Sequence, residues 1–440
     1  MMKFIFVVLL VLSLSASRVM GQTSPDPQIL AEINKTRAVD NHTHVPKVVG
    51  PGEKDDDFDA LPCDPLQPTE PPLMARPENP KFMDAWRKLY GYKYNDRDPA
   101  HVRELLATKQ RIAQQQGDKY PAWVLDQLGI EYMLSNRVAM GRGLEPPRFL
   151  WVPFDDALMT PLDNSSVADN PDRKIFYQRE AGLAQRYTKD SGLTSLPSTL
   201  DDYINKVLVP TLERQKKAGA VAIKFEAAYL RSLYFPESQP DEARQIYSRY
   251  FSGGSPSKSE YLKLQDLLFR TIALHAGQLG LAVHIHTGAG CGGYFDVAGS
   301  NPSLLDSILN DESLRKTNFV LIHGGAGPYT KVTSFLLGKP NVYTDFSEQD
   351  ALISTRALSA VIRDWLEWYP EKVLFGTDLA PGTPEIGWEE IGYSNATTGR
   401  EALALALTGM MADGEITRNR ALELARMVMR ENALKLYGLK

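Results

Sequence analysis

Two histidines one residue apart, His42 and His44, stand in the segment Val39-Asp40-Asn41-His42-Thr43-His44 of a 440-residue chain that holds only 7 histidines. In an extended strand, residues i and i+2 project to the same side. Both imidazoles should therefore face one way, with Asp40 below them. Such a pair at the end of a buried strand can grip one transition metal from one direction. Taken alone, a His-x-His reads more simply as two strand histidines satisfied by hydrogen bonds. The rest of the chain changes that balance, because Lys224, His286, His323 and Asp378 each fall at the end of their own predicted strand.

Each of these residues also has a plain structural reading. Asp378 follows Val373-Leu374-Phe375-Gly376-Thr377 and could be a helix cap or a turn residue. As a carboxylate among histidines, it could instead ligate a metal and take a proton from water. His286 ends the run Leu281-Ala282-Val283-His284-Ile285 and precedes Thr287-Gly288. We assign His286 as the ligand and His284 as packing one layer deeper, with the reverse order open. His323 precedes Gly324-Gly325, as a second-metal ligand or a proton donor. Lys224 shares parity with Ala222 and Glu226. A buried lysine is costly unless paired or neutralised, and its structural reading is an ion pair with Glu226. Asp345 is either a ligand-side residue or a strand terminator. His101 and His275 read as structural. Asn-x-Ser/Thr triplets begin at Asn34, Asn41, Asn164 and Asn395, and the one at Asn41 spans the histidine strand, so that match is chance.

The elements that must position these groups alternate. Strands are predicted over residues 38–44, 130–135, 148–154, 221–226, 281–286, 319–323, 342–345 and 373–378. Helical patterns fall at 26–37, 82–90, 102–116, 120–128, 200–218, 261–280 and 358–368. Eight β/α units predict an α/β fold, a parallel (β/α)8 barrel of TIM type. In such barrels the chemistry sits at the C-terminal ends of the strands. A long insertion follows the first strand, roughly residues 46–125, of which 45–99 is dense in Pro, Gly and Asp. A segment of that length inside a compact domain is usually functional or disordered, and its position predicts a loop covering the site. We read one catalytic domain over 28–440.

Residues 1–21 read as a secretory signal peptide. Lys3 gives a positive start, Phe4 to Leu14 is apolar, and small residues follow up to Gly21. The run is short for a membrane span, with a retained anchor as the alternative. The expected location is therefore secreted or periplasmic. Net charge is −5 for the whole chain and −7 without Lys3 and Arg18. That mild acidity argues against nucleic acid or a membrane surface as partner. A small-molecule substrate is expected, and a homo-oligomer is possible. The two cysteines, Cys63 and Cys291, follow the first and fifth strands on the same barrel face. In an oxidising compartment they could pair and pin the insertion over the mouth.

Together, His42-x-His44, Lys224, His286-Thr-Gly, His323-Gly-Gly and Phe-Gly-Thr-Asp378 resemble the amidohydrolase superfamily, and most closely its amidohydrolase-related (type 2) branch. The resemblance implies a distorted (β/α)8 barrel with one or two divalent metals, usually zinc. It implies that His42, His44 and Asp378 bind the first metal, with His286 joining it or a neighbour. It further implies that His323 ligates a second metal or acts catalytically. A fourth-strand lysine in two-metal relatives is carbamylated and bridges the metals, a role that fits Lys224, whereas type 2 members commonly hold one metal. The long insertion is a departure from compact members.

Three functions compete. The first is metal-dependent hydrolysis of a small-molecule amide, lactone or ester, with Asp378 taking the proton from activated water. The second is metal-dependent decarboxylation, with His323 supplying a proton. The third is a binding protein on a catalytically dead barrel, which predicts missing ligands, and none of the expected positions is missing. The loops 45–99, 155–199 and 288–300 are the expected lining of the substrate site.

Overall fold

The structure is a computed structural model and describes residues 24–440. The signal peptide read over residues 1–21 lies outside them.

Eight strands form where short apolar, β-branched or aromatic runs are bounded by turns. They are β1 (Ala38–Thr43), β2 (Ile130–Asn136), β3 (Phe149–Val152), β4 (Ala222–Phe225), β5 (Ala282–His286), β6 (Phe319–Ile322), β7 (Val342–Asp345) and β8 (Val373–Leu374). Pairing is parallel throughout, in the orders β1-β2-β3 and β4-β5-β6-β7-β8. Backbone hydrogen bonds cross both seams. Val221 N donates to Trp151 O at 3.1 Å and Lys224 N to Pro153 O at 2.7 Å, which joins β3 to β4. Asn41 N donates to Phe375 O at 2.9 Å, Asp378 N to His42 O at 2.8 Å and His44 N to Leu379 O at 2.7 Å. These last bonds join the segment after β8 to β1, and the ring is complete. The fold is a (β/α)8 barrel.

A cluster of buried residues confirms the ring. It takes Val39, Leu134, Val152, Ala222, Ala282, Val320, Ile322 and Leu374 from seven strands, with Tyr343 of β7 against it. Side chains from every strand can meet only inside a barrel. Ala433, Leu434, Leu436 and Tyr437 of the last helix complete this cluster and close the barrel floor. A larger core lies between the strands and the surrounding helices.

The strands end earlier than their apolar runs predict. β8 pairs only over Val373–Leu374, β6 stops at Ile322 and β1 stops at Thr43. At β6 the reason is local: His323, the next residue, takes a positive φ of 65°, which turns its backbone out of the ladder. Asp378, at 49°, turns the chain away beyond β8. β1 also carries a register shift between Asp40 and Thr43.

The insertion is ordered rather than open loop. Arg137 is fully buried and makes two bonds to Asp55, at 2.7 and 2.9 Å, and one to Val45 O at 2.7 Å. Helix α1 (Pro27–Lys35) precedes β1, and α2 (Pro80–Tyr90), α3 (Pro99–Gln116) and α4 (Tyr120–Leu128) follow the loop. Helix α2 starts at an Asn79 cap with Pro80 as its first residue and stops at left-handed Gly91. Its Trp86 Nε1 donates to Glu385 O at 2.9 Å, which ties the insertion to the segment after β8. The predicted helix over 200–218 forms with a wider turn at Ile204–Leu208, just before Pro210, whose missing N–H interrupts the ladder.

Candidate metal centre

Asp378 sits at the barrel mouth, where β1 and the end of β8 are stitched together. Its Oδ1 lies 3.1 Å from His42 Nε2 and 3.4 Å from His44 Nε2. That oxygen is buried, yet it meets neither ring with hydrogen-bond geometry. His323 closes the group: one donor atom from each of His42, His323 and Asp378 lies within 4.8 Å of the others. Burial holds His42 and His323 well below the ordinary histidine pKa, with Lys224 adding to the effect at both and His286 at His323. Neutral imidazoles keep a lone pair for a metal. Burial pushes the Asp378 carboxyl up to about 6 against the pull of His44 and Lys224. An enclosed carboxylate oxygen without a donor, facing imidazole nitrogens, fits a divalent cation with nitrogen and oxygen ligands, zinc included.

The neighbouring residues hold these groups in place. Asp40 accepts from Thr377 N at 2.9 Å and from Thr377 Oγ1 at 2.6 Å, so it orients the turn before Asp378 rather than standing free beneath the histidines. Asn136, at the end of β2, meets His42 Nδ1 through its amide. Asp345 accepts from His323 N at 2.8 Å, Asn41 Nδ2 at 2.7 Å and Ser347 Oγ at 2.8 Å. Its role is thus to position the His323 turn. His323 Nδ1 is taken up by Ser347 Oγ at 2.9 Å, which leaves Nε2 for the cluster. Gly324 is forced as glycine: its φ is 54°, and a Cβ would stand 2.2 Å from the Trp365 ring.

The other candidates are brought close in different ways. Lys224 is fully buried, with Nζ 3.4 Å from His42 Nε2 and 3.9 Å from Glu226 Oε1. The His286 ring lies 4.7 Å from that of His323, and its Nε2 meets Ala289 O at 2.6 Å. His284 sits one layer deeper, and its Nε2 meets the Tyr437 hydroxyl at 2.8 Å. His101 pairs with Asp96 on the outer surface, stacked on Tyr94. Of the four Asn-x-Ser/Thr asparagines, Asn41, Asn164 and Asn395 are buried and Asn34 is exposed.

The sequence model of the family described as Amidohydrolase matches residues 235–439, the half of the barrel that carries His286, His323 and Asp378. That stretch of the chain is similar to the amidohydrolase family. Protein fluG of Emericella nidulans is 30% identical over 159 residues, which is 36% of this chain and 17% of that protein's length. Two solved structures share the fold over most of the chain. A protein of Lactobacillus casei assigned as a metal-dependent hydrolase has 14% identity and a TM-score of 0.58, covering 93% of this chain and 97% of its own. A glucuronate isomerase of Caulobacter crescentus has 12% identity and a TM-score of 0.58, covering 94% of this chain and 93% of its own.

The group of His42, His323 and Asp378 opens into a cavity of about 230 Å³, lined by His44, His286, His323 and Asp378 together with parts of the insertion. Cys63 and Cys291 form a disulfide across its rim, with Cα atoms 6.1 Å apart and 228 residues between them in sequence. The bridge fastens the insertion to the loop after β5. The segment 155–199, expected to line the substrate site, instead borders a separate cavity of about 920 Å³ that contains none of the histidines.

Two contributors were not visible in the sequence. Asp59, from the insertion, places Oδ2 3.0 Å from His44 Nδ1. Burial opposes charge on His44, but Asp59 and then Asp378 hold its pKa above the ordinary value. Glu348 follows β7 in a left-handed conformation, φ 63°, and lines the cavity. Among the described residues, the non-glycine residues with positive φ are His323, Glu348 and Asp378, all at this site. Such strain persists where the surroundings enforce it, and it gathers at functional sites.

Proposed function

We propose that this enzyme hydrolyses an amide, lactone or ester of a small molecule, using a divalent metal held by His42, His44 and Asp378 with His323 beside them. The observation that carries the reading is Asp378 Oδ1, buried without a donor between two imidazole nitrogens. A divalent ion held by that donor set would supply Lewis acidity to a carbonyl and would lower the pKa of water from 15.7 to about 7. Asp378 takes the proton of the attacking water and returns it to the leaving group. His323, anchored through Nδ1 on Ser347, presents Nε2 to the developing negative charge or to the proton in transit.

The wall of the cavity bears on how a carboxylate substrate would be held. Among the described residues its lining includes no arginine or lysine. Lys224 lies behind His42, fully enclosed and turned to Glu226. A carboxylate substrate, for decarboxylation, would therefore be held by the metal itself. A second reading, two metals bridged by carbamylated Lys224 with His286 as a further ligand, is favoured by the 3.4 Å approach of Lys224 Nζ to His42 Nε2. The Cys63–Cys291 bridge supports a mature enzyme that acts in an oxidising compartment, secreted or periplasmic.

The test is a panel of small lactones, esters and amides against zinc-loaded enzyme, with carbon dioxide release measured in parallel on carboxylic acids. Hydrolysis that is lost in Asp378→Asn supports the reading. Carbon dioxide release without hydrolysis contradicts it.

A further inference from the structure

The cavity wall carries five carboxyl side chains, Asp59, Asp64, Glu226, Glu348 and Asp378. Three of them have partners within the protein. Asp59 is engaged by His44 Nδ1 at 3.0 Å, Asp378 faces the His42 and His44 nitrogens, and Glu226 stands 3.9 Å from Lys224. Asp64 is exposed at the rim. Glu348 Oε2 is buried and has no hydrogen-bond partner. The nearest cation-forming group is His323 Nδ1 at 3.9 Å, which Ser347 already occupies. Glu226 Oε2 and Asp378 Oδ1 also lack a hydrogen-bond partner, but they face Lys224 and the His42 and His44 nitrogens, whereas the one group facing Glu348 is already taken.

A buried carboxyl without a hydrogen-bond partner is costly to ionise. Burial with the nearby Asp378 holds Glu348 well above the usual carboxylate range, so a cation seated on it would ionise it. The left-handed backbone there adds a further cost. Nothing in the fold is gained in return: Glu348 caps no helix with its side chain and bridges no element. Aromatic surface lies on the same wall. Tyr229 and Phe58 line the cavity, and the charge of Glu348 acts on the Tyr229 hydroxyl. A carboxylate with a free oxygen beside aromatic rings, in a small space, is the chemistry that recognises an ammonium group.

We propose that the substrate carries a protonated amine close to the bond that is cleaved, and that Glu348 is the residue that selects it. This rests on the reading of the cavity as the hydrolase site. The metal cluster would hold the acyl oxygen while the ammonium group takes the free Oε2 of Glu348. The small cavity limits the amine to a short distance from the acyl carbon, as in a small aminoacyl amide or ester. Acylating the amine would remove its charge and add bulk on the same wall.

The experiment uses full-length mature, zinc-loaded wild type, Glu348→Gln and Glu348→Ala, with two readouts. The first is hydrolysis of alanine amide and alanine methyl ester beside their N-acetyl counterparts. The second is calorimetric binding of n-butylammonium, n-butanol and butyrate, each also titrated into metal-free protein. We expect wild type to prefer the free amines and n-butylammonium, with roughly 10–100-fold of that preference lost in Glu348→Gln, the size of a charge-assisted hydrogen bond. The metal content should be the same in all three proteins, and kcat/KM should fall more on the free amines than on their N-acetyl counterparts.

Several results overturn the proposal. One is butyrate binding as tightly as n-butylammonium. Another is Glu348→Gln losing metal, which would make Glu348 a ligand. A third is kcat falling equally on charged and neutral substrates, which would make it part of a proton path with His323. Glu348-dependent binding of n-butylammonium without any hydrolysis would leave the selection intact and remove the hydrolase reading alone. Hydrolysis that is indifferent to the amine would do the reverse.

Discussion

Asp59 Oδ2 lies 3.0 Å from Nδ1 of His44, so the insertion after the first strand reaches the histidines of the candidate metal site. The contact lacks hydrogen-bond geometry, yet a carboxylate this close to a ligating imidazole would make its far nitrogen more basic and could turn to accept its N–H. We expect Asp59→Asn to fold normally and to bind zinc roughly 10–100-fold more weakly, the usual cost of losing such a partner. Competition with a chelator measures this. Unchanged affinity would make the Asp59 contact incidental.

Asp378 is assigned two tasks, ligand and proton acceptor, and these separate by substitution. Asp378→Asn retains an oxygen but cannot accept the proton. Turnover should fall by about 10²–10⁴-fold, the contribution of general base catalysis, with weaker metal binding corrected by saturating zinc. Near-normal kcat at full metal occupancy would remove Asp378 from the proton path.

The Cys63–Cys291 bridge closes a loop across 228 residues of sequence and holds the insertion at the cavity rim. Paired Cys63→Ser and Cys291→Ser substitutions should destabilise the protein by about 2–5 kcal/mol and raise KM more than they lower kcat. The check is thermal unfolding beside steady-state kinetics. An unchanged melting temperature would show that the insertion is held by its other contacts.

Much of the barrel could be read from the sequence because runs such as Phe319-Val320-Leu321-Ile322 are apolar, short and bounded by turns. The strand-end residues His42, His44, His323 and Asp378 stood out for the same reason: polar groups ending apolar runs. Asp59 did not, since it closes the acidic stretch Asp55-Asp56-Asp57-Phe58-Asp59, where no spacing marks one carboxylate from another. Glu348 was hidden because its position depends on a left-handed backbone that the side-chain pattern does not signal, although its place after β7 was a usable clue. The roles of Asp40 and Asp345 depend on which backbone N–H groups the barrel closure brings to them, and that is set by contacts across more than 300 residues in the case of Asp40.

Asp155, at the end of β3, is fully buried and accepts from Gln215 Nε2 at 2.7 Å, with its other oxygen unpartnered. Burial pushes its pKa up to about 8, against the Gln215 bond and with help from Asp156. A carboxyl whose folded pKa exceeds its unfolded value contributes its full stability below the unfolded pKa, near 3.9, and loses it as pH rises through the folded one. Wild type should therefore lose stability relative to Asp155→Asn between about pH 4 and pH 8, by up to about 1.4 kcal/mol per pH unit. Denaturant unfolding of both proteins across that range tests it. A constant difference would mean that Asp155 is ionised throughout.

The most direct test of the central claim is metal content per chain in the purified mature enzyme, set beside His42→Ala/His44→Ala and Lys224→Ala. The account predicts at least one divalent ion per chain, lost with its activity in the histidine variant. An ion that disappears only partly in Lys224→Ala, with bicarbonate present, would establish the two-metal form. A protein that hydrolyses its substrates without metal, or keeps its full metal content after both histidines are removed, would contradict the account.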